Sequence, residues 1–265
     1  MSLFDTHAHY YDEKFGSLEE QEVLLSEVLG EVPRIINCGI TPETSKVCLE
    51  WAAKRGGLFA ACGLHPENIS GIRADNVKML DRISAMLDER GCVAAGEIGL
   101  DYYWTSDNRE EQKYVFSSQL DMALEKKLPV IIHDRDAHGD CLEIVSGYRG
   151  RGLEGVFHSF SGSAETAREL VRLGFYISFS GVITFKNAVK PAEVLKTLPE
   201  DRILAETDCP YLAPVPFRGK RNDSRLMRYT VEKMAEIRGI GFEEMAIITE
   251  RNALELFKKC SVTNH

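Results

Sequence analysis

Eight short runs rich in Val, Ile and Phe recur along this chain, and they constrain its fold more than any other feature. They lie at residues 3–6, 34–38, 58–62, 93–97, 130–133, 155–158, 175–179 and 202–206, so a strand begins roughly every 20–36 residues. Stretches of helical periodicity separate them, at residues 17–30, 76–89, 110–127, 164–173 and 223–237 among others. Ser17 and Ser163 stand where helix N-caps belong. This alternation describes repeated βα units whose strands are too apolar to leave a sheet face in water. Eight units make an α/β fold of the (β/α)8 TIM-barrel class, which takes about 250 residues. The 265-residue chain therefore reads as a single domain over residues 1–258, with 259–265 a frayed tail and 213–222 a long loop after the eighth strand. An open doubly wound sheet is the competing architecture. It would bring a Gly-rich phosphate loop after the first strand, where this chain carries histidines.

Composition narrows the class of function. With 44% hydrophobic and 28% charged residues, the chain is neither disordered nor fibrous. No apolar run approaches the ~18–20 residues that span a bilayer. The start of the chain meets an acid and two histidines at once, which suits no signal peptide. Seven dispersed cysteines without a C-x-x-C pair read as reduced thiols, and a cytoplasmic protein is expected. The formal net charge of −9 argues against broad nonspecific binding to nucleic acid or anionic membrane. It leaves room for a polyanionic substrate, because bound divalent cations reverse the local sign.

Chemistry concentrates where the strands end. The first ends Asp5-Thr6-His7-Ala8-His9, and residues at i and i+2 of a strand share a face, so His7 and His9 form a chelating pair. The fourth ends at Glu97, the fifth at His133, the sixth at His158 and the eighth at Glu206-Thr207-Asp208. In a closed barrel these C-terminal ends converge on one mouth. Four imidazoles and two carboxylates exceed the needs of one tetrahedral ion, whereas two divalent cations about 3.5–4 Å apart would use them all. Glu97 is then the bridge, with His7 and His9 on one cation and His133 and His158 on the other. Asp208 can ligate the first cation and hold or deprotonate the bridging water. A single histidine at a strand end is usually a satisfied packing residue; five strands ending in ligand-type side chains are not explained that way.

The motifs then become recognisable as a set. Phe4-Asp5-Thr6-His7-Ala8-His9, Gly63-Leu64-His65-Pro66, Gly96-Glu97-Ile98-Gly99-Leu100-Asp101-Tyr102, Val130-Ile131-Ile132-His133-Asp134-Arg135, His158-Ser159-Phe160-Ser161-Gly162, Glu206-Thr207-Asp208-Cys209-Pro210-Tyr211-Leu212 and Arg218-Gly219-Lys220-Arg221-Asn222 follow in order from end to end. The chain resembles the TatD family of metal-dependent deoxyribonucleases, in the amidohydrolase-like group of TIM barrels. Related amidohydrolases usually bridge their metals with a modified lysine, where this chain offers Glu97. The family commonly has proline soon after the Arg-Gly-Lys-Arg-Asn run; Asp223-Ser224 stands here instead, which touches the loop and not the ligands.

The resemblance implies His7, His9, Glu97, His133, His158 and Asp208 as ligands of two divalent cations, Zn, Mn or Mg. It implies hydrolysis of DNA phosphodiester bonds by a metal-bridging hydroxide, with Asp208 and Glu97 catalytic and exonuclease action on single strands or ends. His65, Arg135, Arg218, Lys220 and Arg221 are candidate substrate contacts. Glu206 and Asp5, each two residues before a ligand, are candidates to orient a ligating histidine. Tyr102, Tyr103 and Trp104 can stack on a base or simply pack over the rim, and His138 receives no role. No obligate protein or membrane partner is expected. The alternative function is ester or amide hydrolysis, such as removal of a D-amino acid from tRNA, since the same centre serves a tetrahedral carbon. A non-catalytic metal scaffold would have no need of so complete a set.

Overall fold

The computed structural model describes residues 3–104 and 107–261. Its strands are β1 (Phe4–Ala8), β2 (Arg34–Cys38), β3 (Leu58–Cys62), β4 (Cys92–Asp101), β5 (Val130–Arg135), β6 (Gly155–Phe157), β7 (Tyr176–Phe179) and β8 (Ile203–Ala205). Its helices are α1 (Leu18–Leu29), α2 (Pro42–Lys54), α3 (Arg73–Met86), α4 (Arg109–Lys126), α5 (His138–Ser146), α6 (Ala164–Arg172), α7 (Val189–Thr197), α8 (Met227–Arg238) and α9 (Phe242–Leu256). The strands pair in parallel in sequence order, β1 to β8, and helices follow each one. This is a (β/α)8 barrel.

Closure is made beyond the end of β8. Asp208 N–H donates to the His7 carbonyl (2.9 Å) and His9 N–H to the Cys209 carbonyl (2.7 Å), so the segments that carry His7, His9 and Asp208 are themselves the seam. Phe4, Ile36, Phe59, Val93, Ile131, Val156, Tyr176 and Leu204, one from each strand, fill the barrel interior. The end of α9 plugs it from below, with Phe257 fully buried and 6.4 Å from Phe4. A larger apolar layer lies between sheet and helices, including Phe116, Leu120, Phe157, Leu170, Val231 and Met245. With the floor packed, the open end is the C-terminal mouth.

Local chemistry explains the helix starts. Ser17 caps α1 in a reciprocal box with Glu20, Ser163 caps α6, and Thr41 with Pro42 starts α2. One part of the expected tail is ordered: Lys258–Ser261 forms a 3-10 turn, Cys260 is buried in the floor, and Lys259 Nζ donates to the Cys92 carbonyl (3.1 Å). The apolar floor holds it down; the rest of the tail, 262–265, lies outside the described residues. All seven cysteines are buried free thiols. Among the described residues no helix is long and apolar enough to cross a membrane.

Candidate metal centre

β4 carries the centre of the site because it outruns its neighbours. Ten residues long, it continues four residues past Glu97, to Asp101, and its register against β5 shifts between Ala95 and Ile98. Gly99 allows this close approach. Its φ is 146°, and a Cβ there would sit 1.9 Å from the His133 carbonyl oxygen, so only glycine fits. Glu97 is thereby held among five imidazoles.

Its two carboxylate oxygens face different groups. Oε2 lies 3.3 Å from His7 Nε2 and 3.4 Å from His9 Nε2, and those two nitrogens are 2.9 Å apart. Asp208 Oδ1 completes this first set, 3.6 Å from His7 Nε2 and 3.3 Å from His9 Nε2. Oε1 lies 2.9 Å from His133 Nδ1 and 2.9 Å from His158 Nε2, which are themselves 3.2 Å apart. The two sets thus share one carboxylate, and the described residues contain three overlapping three-membered donor groups: His7, His9 and Asp208; His7, Glu97 and His158; and His65, Glu97 and His133.

The far nitrogen of each ring decides where its lone pair points. His133 Nε2 faces Asp101 Oδ2 (3.0 Å), His158 Nδ1 faces Glu206 Oε1 (3.2 Å) and His9 Nδ1 faces the Cys38 carbonyl (2.9 Å). Each of these oxygens accepts a hydrogen bond from the ring N–H, so a neutral ring aims its other nitrogen's lone pair at its neighbours and at Glu97. Lone pairs this close to a carboxylate repel unless a proton or a cation lies between them. Carboxylate or carbonyl backing of a histidine is the usual second layer of a metal site. The donor set therefore fits divalent cations bound by nitrogen and oxygen.

Electrostatics agree. Glu97, Asp101 and Glu206 are buried and Asp208 partly so, and among the described residues no Lys or Arg pairs with any of them. Burial works against ionisation of Glu97, yet His158, His65 and His7 outweigh it and hold the carboxyl well below its usual range. Burial likewise lowers His133, but Asp101 and Glu97 raise it to about 9; His158 is raised further by Glu97 and Glu206 against its own burial. Without metal, the acids favour the protonated forms of His9, His133 and His158, whereas burial keeps His7 and His65 low. With the rings neutral, divalent cations bound among these donors would balance the buried carboxylates.

Backbone strain marks the same place. Asp208 has φ 58° and Ser159, next to His158, has φ 40°, a region that non-glycine residues enter at a cost of about 1–2 kcal/mol. The Asp208 N–H bond across the barrel seam helps to hold that conformation.

The other sequence candidates fall in three places. His65 Nε2 lies 3.3 Å from Glu97 Oε1, beside the second set. Its Nδ1 accepts the Glu67 N–H (3.1 Å), so in the neutral ring Nε2 carries the proton and faces Glu97. Burial lowers its pKa to about 4, which keeps it neutral. Glu206 backs His158 as above. Asp5 reaches no imidazole among the described residues and meets backbone and hydroxyl groups beside the ligand candidates instead. A register shift between Asp5 and Ala8 turns it away from His7. There it accepts from Thr207 N–H (2.9 Å), Thr207 hydroxyl (2.6 Å), Ser224 hydroxyl (2.6 Å) and, weakly, His7 N–H (3.3 Å). It fastens β1 to the segment that bears Asp208.

The cationic candidates are exposed and lack carboxylate partners among the described residues. Arg135 lies over Tyr103 (4.0 Å), Arg218 over Phe185 (4.1 Å) and Lys220 near Phe217 (5.9 Å), while Arg221 donates to the Lys14 carbonyl (3.2 Å). Asp134 bonds His138 (2.8 Å) and not Arg135. Asp101 went unassigned in the sequence. Its position, four residues after Glu97 on the same strand face, was the available signal, and it required β4 to continue that far.

Comparison with known proteins follows the same pattern. The family model for TatD related DNase matches residues 4–258. An uncharacterized metal-dependent hydrolase of Bacillus subtilis, YabD, is 41% identical over 256 residues, 97% of this chain and 99% of that one. YcfH of Escherichia coli, also an uncharacterized metal-dependent hydrolase, is 38% identical over 97% of this chain and 96% of its own length. The crystal structure of YJJV, a TatD homologue from Escherichia coli, superposes with a TM-score of 0.85 at 31% identity, covering 97% and 98% of the two chains.

Proposed function

The chain belongs to the TatD related DNase family and is a metal-dependent hydrolase, and from that premise we propose that it cleaves DNA phosphodiester bonds at single strands or ends. The observation that carries this reading is the division of Glu97 between two histidine pairs. His7, His9, Asp208 and Glu97 would hold one divalent cation, and His133, His158 and Glu97 the other. Such a pair supplies an activated water and neutralises charge on the attacking and leaving oxygens of an in-line displacement.

The remaining work falls to the chain's own groups. Asp208 has a second carboxylate oxygen beyond the one facing His9, and it orients the attacking water and accepts its proton. His65 offers its Nε2–H as a hydrogen-bond donor to a phosphate oxygen. Arg135, Arg218, Lys220 and Arg221 meet neighbouring phosphates, in keeping with their exposure and their lack of carboxylate partners. The recessed position of the centre, with His7, Glu97 and His158 all buried, favours a strand end that can enter the mouth over the side of a duplex.

The test is one metal-loaded preparation assayed on short oligonucleotides and on D-aminoacyl-tRNA. Nucleotides released from DNA, abolished by EDTA and restored by Mn or Zn, are the expected result. Deacylation without DNA cleavage would move the function to ester hydrolysis at carbon.

A further inference from the structure

Trp104 and Tyr103 are 61% and 56% exposed, although they follow directly on the buried end of β4. They are not loosely placed. Asp101 Oδ1 accepts both of their backbone N–H groups (2.9 Å each), and its Oδ2 faces His133 Nε2 (3.0 Å). One buried carboxylate thus sets the position of two exposed rings and of an imidazole in the second donor set. The rings meet edge to face, 4.8 Å between centroids and 85° between planes. Arg135, two residues after His133 on β5, lies 4.0 Å from the Tyr103 centroid and 5.4 Å from that of Trp104. Tyr102 is built differently: its hydroxyl donates to Asp140 (2.6 Å) and Arg109 covers its ring (4.3 Å).

We propose that Trp104, Tyr103 and Arg135 form a nucleobase subsite next to the second donor set. Trp104 stacks on the base of the nucleotide adjoining the scissile phosphate, and Tyr103 carries Arg135 so that its guanidinium fork meets that phosphate. The inference rests on the phosphodiesterase reading and names which part of the substrate that site grips. The division of labour follows from the geometry. One face of Tyr103 is occupied by the guanidinium, which restrains a side chain that would otherwise sample many rotamers. The indole stands nearly perpendicular to the phenol and keeps most of its surface in water. Every base has a π-face, so such a platform selects for the presence of a base and tolerates its identity.

Fluorescence separates the two tryptophans, because Trp51 is 3% exposed with its indole N–H bound to Glu22 (3.0 Å). The metal-loaded protein is titrated with a short oligothymidylate whose phosphorothioate linkages resist hydrolysis, and with a matching strand that is abasic at its terminal nucleotides. Saturable quenching by the first and weak quenching by the second are expected. In kinetics on ordinary linkages, Trp104→Ala should raise KM roughly 10-fold for base-bearing strands and erase their advantage over abasic ones. Trp104→Phe should restore that advantage, whereas Tyr103→Ala should raise KM for both substrates by freeing Arg135. DNA cleavage without Trp104 quenching, or discrimination that survives Trp104→Ala, would overturn the subsite and leave the phosphodiesterase reading standing. Absence of DNA cleavage by the metal-loaded protein would overturn both.

Discussion

Asp208 and Asp101 show how much depends on which oxygen faces which nitrogen. Asp208→Asn keeps shape and one oxygen donor but removes the charge that accepts a proton. Turnover should fall roughly 100-fold or more while KM changes little, measured after confirming metal content. Asp101→Asn is subtler. An amide nitrogen facing His133 Nε2 forces the ring proton onto Nδ1, the nitrogen that faces Glu97; the flipped amide instead opposes the N–H groups of Tyr103 and Trp104. Cation affinity at the second set should drop about 10- to 100-fold with the first set retained, as read by metal titration. Asp5 offers a pH test. Burial raises its pKa to about 6, against hydrogen bonds from Ser224 and Thr207 that lower it. Between the unfolded value near 4 and the folded value near 6 the native state binds more protons than the unfolded one, so this group's contribution to stability falls as pH rises through that window. Asp5→Asn cannot titrate. Denaturant unfolding of both proteins at pH 4 and pH 7 should show the variant gaining relative to the wild type at the higher pH, by an amount on the order of 2–3 kcal/mol. A constant difference would mean Asp5 stays ionised in the fold.

The elements differ in how openly the sequence announces them. Strand ends bearing His7, His9, Glu97, His133, His158 and Asp208 were legible because chelating side chains interrupt apolar runs at the ends that a barrel gathers together. The turning away of Asp5 was not, since a register shift between neighbouring strands is set by pairing and leaves no mark on i, i+2 alternation. Nor was the reach of β4, which depends on glycines admitting another backbone. Helix α9 is hidden for a different reason. Its inner face includes Thr249 and Asn252, and Asn252 Nδ2 donates to the carbonyls of Glu200 (2.8 Å) and Ile203 (2.9 Å), so polar residues sit where periodicity looks for apolar ones. The same helix leads into Phe257, which closes the barrel floor. Phe257→Ala should cost about 3–5 kcal/mol, seen as a lower denaturant midpoint, with metal stoichiometry preserved because the centre lies at the opposite end. Loss of metal at unchanged stability would contradict that separation of floor and mouth.

At the scale of the whole molecule, an acidic protein leaves the exposed cations proposed to meet substrate without ion pairs among the described residues. Several Arg and Lys side chains elsewhere are matched to carboxylates, as in Arg55–Glu22, Arg82–Glu43 and Lys126–Asp88. Arg135 and Arg218 lie over aromatic rings instead. The net charge of −9 therefore says little about the mouth, where two divalent cations would add positive charge to an already cationic rim. In the proposed centre, one carboxylate, that of Glu97, is shared by two cations. Crystals of the protein grown with Mn and examined by anomalous diffraction test it most directly. Two peaks about 3.5–4 Å apart are expected on either side of Glu97, one beside His7, His9 and Asp208 and one beside His133 and His158. Glu97→Ala crystals should lose occupancy at both. A single peak in the wild type, or two full peaks in Glu97→Ala, would contradict the account.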